Sequence, residues 1–346
     1  MKTSDLAYEV PEDLIAQTPI EPRDAARLLV VDRASSALEH RTFRDIIDYL
    51  QPGDVLVPNE TRVLRARLRA MKVPSGGRLE ILLLRPVDEV TWEALVGGSG
   101  VRAGSRLRVV PANERAVADA TAEVVAVLAN GGRLLRFDRP IAAELDRLGD
   151  VPLPPYIHQP LADAERYQTV FARVMGSAAA PTAGLHFTPE LLQAVRDRGV
   201  EFAFIELQVG WDTFHPIQEE QVEQHHIHTE FCHVSGKAAA QINRARDAGG
   251  RVIAVGTTAV RALETAALSR RDGRVSPFKG NSNLFITPGF EFRVVDAMIT
   301  NFHLPRSTLL ALVSAFAGRE RILHAYQVAV AERYRFYSFG DAMLIR

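Results

Sequence analysis

The chain has 346 residues, 47% hydrophobic and 24% charged, with a formal net charge of −1 at pH 7. That composition is globular, and at about 150 residues per domain the length suggests two domains. No run of about 18 apolar residues is present, and the start, MKTSDLAYEV, has neither a basic nor an apolar leader region, so membrane spanning and secretion are not expected and the chain reads as cytoplasmic.

In chain order, residues 1–62 alternate helical signals (PEDLIAQ, FRDIIDYL) with short strands (RLLVVD, DVLVPN), the texture of an α/β layer. Residues 63–150 change character. ARLRAM, RLEILLLR, TWEALV, RLRVV, TAEVVAVL and GRLLRFD are short alternating apolar runs separated by SGG, GGSG, AG, PAN and NGG, which predicts a small all-β barrel or sandwich. VPLPPYIHQP reads as a stiff return linker. From there the α/β texture resumes over 151–346. Helices are predicted at PELLQAVRDRG, KAAAQINRARDAG, TAVRALETAALSR and STLLALVSAFAG, three of them stopping on Gly199, Gly249 and Gly318. Strands are predicted at EFAFIELQV, RVIAV and FRVVDAMIT. The expected fold class is therefore α/β, a mixed, largely parallel sheet with helices in a discontinuous domain (1–62 and 151–346), plus an inserted small all-β barrel domain (63–150).

Lysine occurs only as Lys2, Lys72, Lys237 and Lys279, so the positive charge is nearly all arginine, suited to planar contact with phosphate or carboxylate. In TRVLRARLRA, Arg65, Arg67 and Arg69 recur at period two, on one face of a strand. This is either a short phosphate-binding stripe or a solvated strand face. The lone Cys232 excludes an internal disulfide framework and a Cys-based zinc site, and reads as a small buried hydrophobe.

Four runs set small, polar or aromatic residues beside apolar segments, as backbone approaching a ligand requires. The first is Met175–Thr188. In the second, Val252–Glu264, the strand VIAV meets Gly256, Thr257 and Thr258 and then a helix, whose N-terminus fits a carboxylate or phosphate or is an ordinary cap. Arg261, one turn in, either strengthens that site or snorkels. In the third, Met298–Leu310, a strand is followed by Asn301, Phe302 and His303 at its carboxyl end, where open α/β sheets bind ligands; Asn301 can read an adenine edge and Phe302 can stack on it. Tyr334–Leu344 is the fourth. Separately, HHIHTE (residues 225–230) puts His226, His228 and Glu230 on one face of a strand, or His225 and His228 on one face of a helix. Neither matches the HExxH zinc helix, so acid–base work by a histidine beside Glu230 is the preferred reading over a metal site, with a polar surface loop as the plain alternative. Nucleophilic-serine, P-loop and Rossmann fingerprints are absent.

Taken jointly, GSAAAPTAGLHFT, LQVGWDTFHPI, HHIHTE, AVGTTAVRALE, ITNFHLPRSTLLALVSAFAG and YRFYSFGDAMLI, with EPRDAARLLV and PGDVLVPNETRV, resemble the S-adenosylmethionine:tRNA ribosyltransferase-isomerase family of queuosine biosynthesis over nearly the whole chain. The resemblance implies an α/β domain carrying an inserted β-barrel. It implies an enzyme that transfers the ribosyl unit of S-adenosylmethionine to 7-aminomethyl-7-deazaguanine in a tRNA anticodon and isomerises it to epoxyqueuosine, releasing adenine and methionine. S-adenosylmethionine is then a co-substrate, with no permanently bound cofactor and no metal, and the expected partner is tRNA, bound by a monomer away from membranes. On that basis His186, His228 and Glu230 are the catalytic candidates. Thr182, Gly184, Gly256, Thr257, Thr258, Arg261, Asn301, Phe302 and His303 are assigned to S-adenosylmethionine, and Arg23, Arg62, Arg65 and Arg67 to tRNA phosphates. The chain departs from the family pattern LHVGxGTF at Gln208 and Asp212, and from HxMHxE at Ile227, so position 208 is given no role. The competing readings are an S-adenosylmethionine-dependent tRNA methyltransferase and an inactive tRNA-binding homologue.

Overall fold

The computed structural model describes residues 1–110, 120–129, 131–210, 213, 216–270 and 272–346. Asp212, the PAN turn from Pro111 and Asn130 of the NGG turn lie outside them. The chain divides into two compact units: Met1–Arg62, Pro154–Val174 and Ala180–Arg346 form one, and Val63–Leu153 with Met175–Ala179 the other.

The larger unit is built on a seven-stranded sheet in the spatial order Glu201–Phe202, Val55–Pro58, Val252–Val255, Ala297–Asn301, Ala342–Ile345, Arg27–Val31, Leu38–Thr42. The first four strands run parallel, Ala342–Ile345 is antiparallel to its neighbour Ala297–Asn301, and Leu38–Thr42 closes the far edge antiparallel. The mixed, largely parallel character follows from composition. VIAV and AMIT are apolar at nearly every position, and every residue of both is buried, as strands covered on two faces must be. Helices Pro189–Asp197, Gly236–Asp247, Thr257–Ala267 and Thr308–Ala317 follow the predicted segments. Thr188, Ser235 and Ser307 cap three of them through side-chain oxygens that accept first-turn N–H groups, satisfying donors that a helix end otherwise leaves open.

Four segments differ from expectation. PEDLIAQ and FRDIIDYL form only 3-10 turns, Glu12–Leu14 and Phe43–Tyr49, because each run is too short to gain from α-helical propagation. EFAFIELQV is not one strand: Glu201–Phe202 joins the large sheet, whereas Glu206–Leu207 joins a separate three-stranded sheet with Glu230–Val234 and Phe278–Ser282. The change of sheet is held by the buried Asn59, whose Oδ1 accepts from Leu207 N (3.1 Å) and whose Nδ2 donates to Leu207 O (2.8 Å). HHIHTE is neither strand nor helix before Glu230, where the strand begins. A further helix, Arg319–Ala331, starts at Gly318 directly after its predecessor; that glycine has a φ of 88°, the left-handed region in which a Cβ is unfavourable.

In the smaller unit, Arg67–Val73, Arg78–Pro86, Thr91–Val96, Arg133–Phe137, Thr121–Val127 and Arg106–Val110 pair antiparallel in that order, and the last pairs back to the first, closing a six-stranded barrel. Alternate residues point inward and are buried, among them Leu68, Ile81, Leu107, Val124 and Leu135, which is how the period-two pattern translates into a filled interior.

Candidate active site

The first four strands of the large sheet all end on one side, where three of their carboxyl ends carry Asn59, Gly256 and Phe302. Ala342–Ile345, running the other way, starts there and brings Tyr337 and Ser338 to the same edge. The outcome is an open cleft with two compartments that share Thr213, Thr257, Thr258 and Leu309.

At the junction, helix Thr257–Ala267 starts on Gly256, which has a φ of 94° and no side chain to act as a cap. Its first turn therefore presents the backbone N–H groups and positive dipole end expected of an anion site. Asn59 Nδ2 reaches Thr258 Oγ1 at 3.4 Å, tying that turn to the next strand end.

One compartment is lined by Tyr156, Thr182, Asn301, His303, Tyr337 and Ser338, among others. Thr182 Oγ1 donates to Asn301 Oδ1 (2.9 Å), and Asn301 Nδ2 donates to Tyr337 O (3.2 Å), so the amide is held in one orientation. Tyr337 O also accepts from Gly340 N (3.0 Å), a turn that places Tyr337 at a φ of 69°, costing about 1–2 kcal/mol for a residue with a Cβ. His303 is buried; its Nε2 lies 2.7 Å from Thr300 Oγ1, and burial pushes its pKa down to about 3, which keeps the ring neutral. The ring of Phe302, expected to stack on a ligand, is fully buried among Tyr326, Tyr334 and Phe336 at centroid distances of 4.9–5.6 Å. The aromatic surface of the compartment comes instead from Tyr156 and Tyr337, 4.8 Å apart, with Tyr156 Oη and Ser338 Oγ hydrogen-bonded at 2.7 Å. Tyr156 belongs to the stretch read as a linker.

The other compartment is walled by Ile227, Leu284, Phe285, Ile286 and Leu312 and carries His228, Glu230 and Arg261. The His228 side chain is exposed in it. Glu230 is buried: Oε1 accepts from Gly210 N (2.8 Å) and Thr213 Oγ1 (3.4 Å), and Oε2 is paired with Arg261 Nη1. Burial holds the Glu230 carboxyl above the ordinary carboxylate range, against the opposing pull of Arg261 and these donors. Arg261 Nη2 donates to His228 O (2.8 Å) and Ser282 O (3.0 Å), so this guanidinium clamps the ends of two strands and neutralises Glu230. Among the described residues no three His, Cys, Asp or Glu side chains converge to hold a metal ion.

Two predicted residues sit elsewhere. His186 faces a separate hollow with Pro19, Arg23, Leu185 and Phe339. Its Nδ1 lies 3.2 Å from Ala183 O and its Nε2 3.0 Å from Gly340 O, its ring stacks on Phe43 at 4.9 Å, and burial lowers its pKa. Gly184 is a packing glycine: a Cβ there would lie 3.0 Å from Thr169 Cγ2 and 3.3 Å from Phe171. Gln208 donates through Nε2 to Glu206 (2.9 Å). The arginines are engaged within their own units. Arg23 donates to the carbonyls of Gln168, Arg166 and Glu165, and Arg62 pairs with Glu165. In the barrel unit Arg65 pairs with Asp146, Arg67 with Glu80 and Arg69 with Asp150, so the stripe is charge-compensated along its length.

An α/β sheet with a bipartite cleft at its strand ends and a helix N-terminus at the junction is an arrangement suited to a two-part ligand with an anionic group. Residues 3–345 match the family of queuosine biosynthesis proteins, and the chain belongs to it. It is 55% identical to the S-adenosylmethionine:tRNA ribosyltransferase-isomerase of Symbiobacterium thermophilum and 53% identical to that of Moorella thermoacetica, in both cases over the whole of each chain. The crystal structure of an S-adenosylmethionine tRNA ribosyltransferase from Thermotoga maritima is 39% identical, covers 99% of this chain and 100% of its own, and superposes with a TM-score of 0.57.

Proposed function

We propose that this protein is an S-adenosylmethionine:tRNA ribosyltransferase-isomerase, transferring the ribosyl unit of S-adenosylmethionine to the 7-aminomethyl-7-deazaguanine of a tRNA anticodon and isomerising it to epoxyqueuosine. Full-length identity of 50–55% to relatives of that name supports the activity. The observation that carries the site is the two-compartment cleft meeting at Thr257–Thr258, since the reaction brings two substrates to one point. S-adenosylmethionine is a co-substrate without a permanently bound cofactor, and the enzyme acts in the cytoplasm as a monomer; among the described residues no helix is long and apolar enough to cross a membrane.

The chemistry assigns work to particular residues. The sulfonium acidifies the protons on ribose C5′, and His228, exposed in the cleft beside Glu230, is the base that removes one and starts the loss of adenine. Departing adenine needs a hydrogen-bond donor, and Asn301, Thr182 and the neutral His303 line its compartment. The methionine carboxylate is held at the first turn after Gly256 by Thr257 and Thr258. Arg261 acts on that turn indirectly, because its guanidinium is already committed to Glu230. The attacking alkylamine resembles lysine, with a free pKa near ~10, so the apolar walls around Ile227 and Leu284 serve to disfavour its charged form. Arg23, Arg62, Arg65 and Arg67 are the proposed phosphate contacts, which requires them to exchange protein partners for phosphate on binding. Incubation with S-adenosylmethionine and tRNA carrying the aminomethyl base tests the reading: adenine and methionine are released in step with tRNA modification, whereas S-adenosylhomocysteine would mark a methyltransferase, and binding without turnover an inactive homologue.

A further inference from the structure

The two compartments offer different hydrogen-bonding chemistry. Among the described residues that line them, Glu230 is the one carboxylate, and it lies in the compartment with Phe285; the one carboxamide, Asn301, lies in the other. The substrates differ in the same way. A 7-deazaguanine keeps the N1–H and N2–H₂ donors of guanine on its Watson–Crick edge, which call for an acceptor-only partner, and it lacks the N7 acceptor. Adenine presents a donor beside an acceptor, which an amide matches. An extruded base also needs a flat apolar surface for stacking. Phe285 supplies one: its side chain is half-buried, follows the Phe278–Ser282 strand, and stands edge-on to His225 at 5.8 Å, with Ile227 and Leu284 beside it.

We infer that the Phe285 compartment is the base pocket for the tRNA, with Phe285 as the stacking surface and Glu230 Oε2 as the acceptor for the guanine-type edge, while the Asn301 compartment holds the adenine of S-adenosylmethionine. Glu230 is suited to this. Arg261, the Gly210 N–H and the Thr213 hydroxyl fix the carboxylate in place; Oε1 takes two of these donors and Oε2 only the guanidinium, so Oε2 keeps acceptor capacity. The arrangement puts the base's 7-substituent and the ribose on opposite sides of Thr257–Thr258, the shared lining at which transfer takes place. Ile227, which occupies the Met position of the family pattern HxMHxE, forms an apolar wall of the base pocket.

This rests on the proposed activity, and the test separates the two. Steady-state kinetics on full-length Phe285→Ala, with apparent KM measured for each substrate, is expected to raise KM for tRNA by about tenfold, the scale of one base–aromatic stack, with S-adenosylmethionine affinity in the absence of tRNA within twofold of wild type. Asn301→Ala is expected to do the reverse. Glu230→Gln, with its fold checked by thermal unfolding, is expected to follow Phe285→Ala and to raise KM for tRNA. If Phe285→Ala weakens S-adenosylmethionine instead, or both substrates equally, or neither, the inference is overturned. A wild-type protein that releases no adenine overturns the activity itself, whatever the variants do.

Discussion

Two regions of the larger unit each gather a histidine among loops at the sheet edge, and they are built in opposite ways. Around His186 both ring nitrogens face backbone carbonyls, and the ring is sealed against Phe43. In the cleft, the helix at Thr257 begins without a side-chain cap and His228 stands exposed beside Glu230. The first arrangement seals its histidine against the protein's own backbone; the second brings its histidine to the surface of the cleft. Yet the two are linked. His186 joins the Thr182–His186 turn to Gly340, Gly340 N donates to Tyr337 O, Tyr337 O accepts from Asn301, and Asn301 accepts from Thr182. This closed circuit holds the Asn301 side of the cleft from behind, so His186 is read as a positioning residue.

The sharpest break between the regions is expected from His228→Ala, which removes a general base and lowers kcat by about 10²–10⁴-fold with little change in either KM; a loss under threefold would take His228 out of the chemistry. Next in size, His186→Gln leaves carbonyls of the circuit poorly satisfied, costing about 1–3 kcal/mol in denaturant unfolding. It also raises KM for S-adenosylmethionine, while the pH profile of kcat keeps both limbs. Disappearance of the acid limb in that variant would return His186 to the catalytic group. The smallest effect, taken per pH unit, concerns His303. The unfolded ring takes up a proton near ~6.5, whereas the folded ring does so near 3. Between those values the unfolded chain binds one proton more, and this residue's contribution to stability falls as pH drops through the window, by up to about 1.4 kcal/mol per unit. Unfolding of His303→Asn followed from pH 7 to 4 should show a shallower slope than wild type; an unchanged slope would contradict the burial assigned to the ring.

The barrel was legible because alternation and glycine turns are local signals: all six runs named from the sequence became its six strands. The helices with serine or threonine starts and glycine ends were legible for the same reason. Thr257, Thr258 and Asn301 could be placed at the strand-end cleft because they close or closely follow apolar strands. What the sequence hid depends on contacts between distant segments. Phe302 reads like a stacking residue until Tyr326, Tyr334 and Phe336 close around it, and Tyr156 reads like linker until Ser338, 182 residues away, fixes it beside Tyr337. Arg261 reads like an anion ligand until Glu230, 31 residues earlier, takes its charge. Asn59 gave only the weak signal of an asparagine closing a strand, although it settles where the chain changes sheets.

The most direct test of the cleft is a crystal of this protein soaked with S-adenosylmethionine. The account predicts adenine between Tyr337 and Asn301, the methionine carboxylate at the N–H groups of Thr257 and Thr258, and the Phe285 compartment left open to receive the tRNA base. Adenine density against Phe285, or the nucleoside in the His186 hollow, would contradict it.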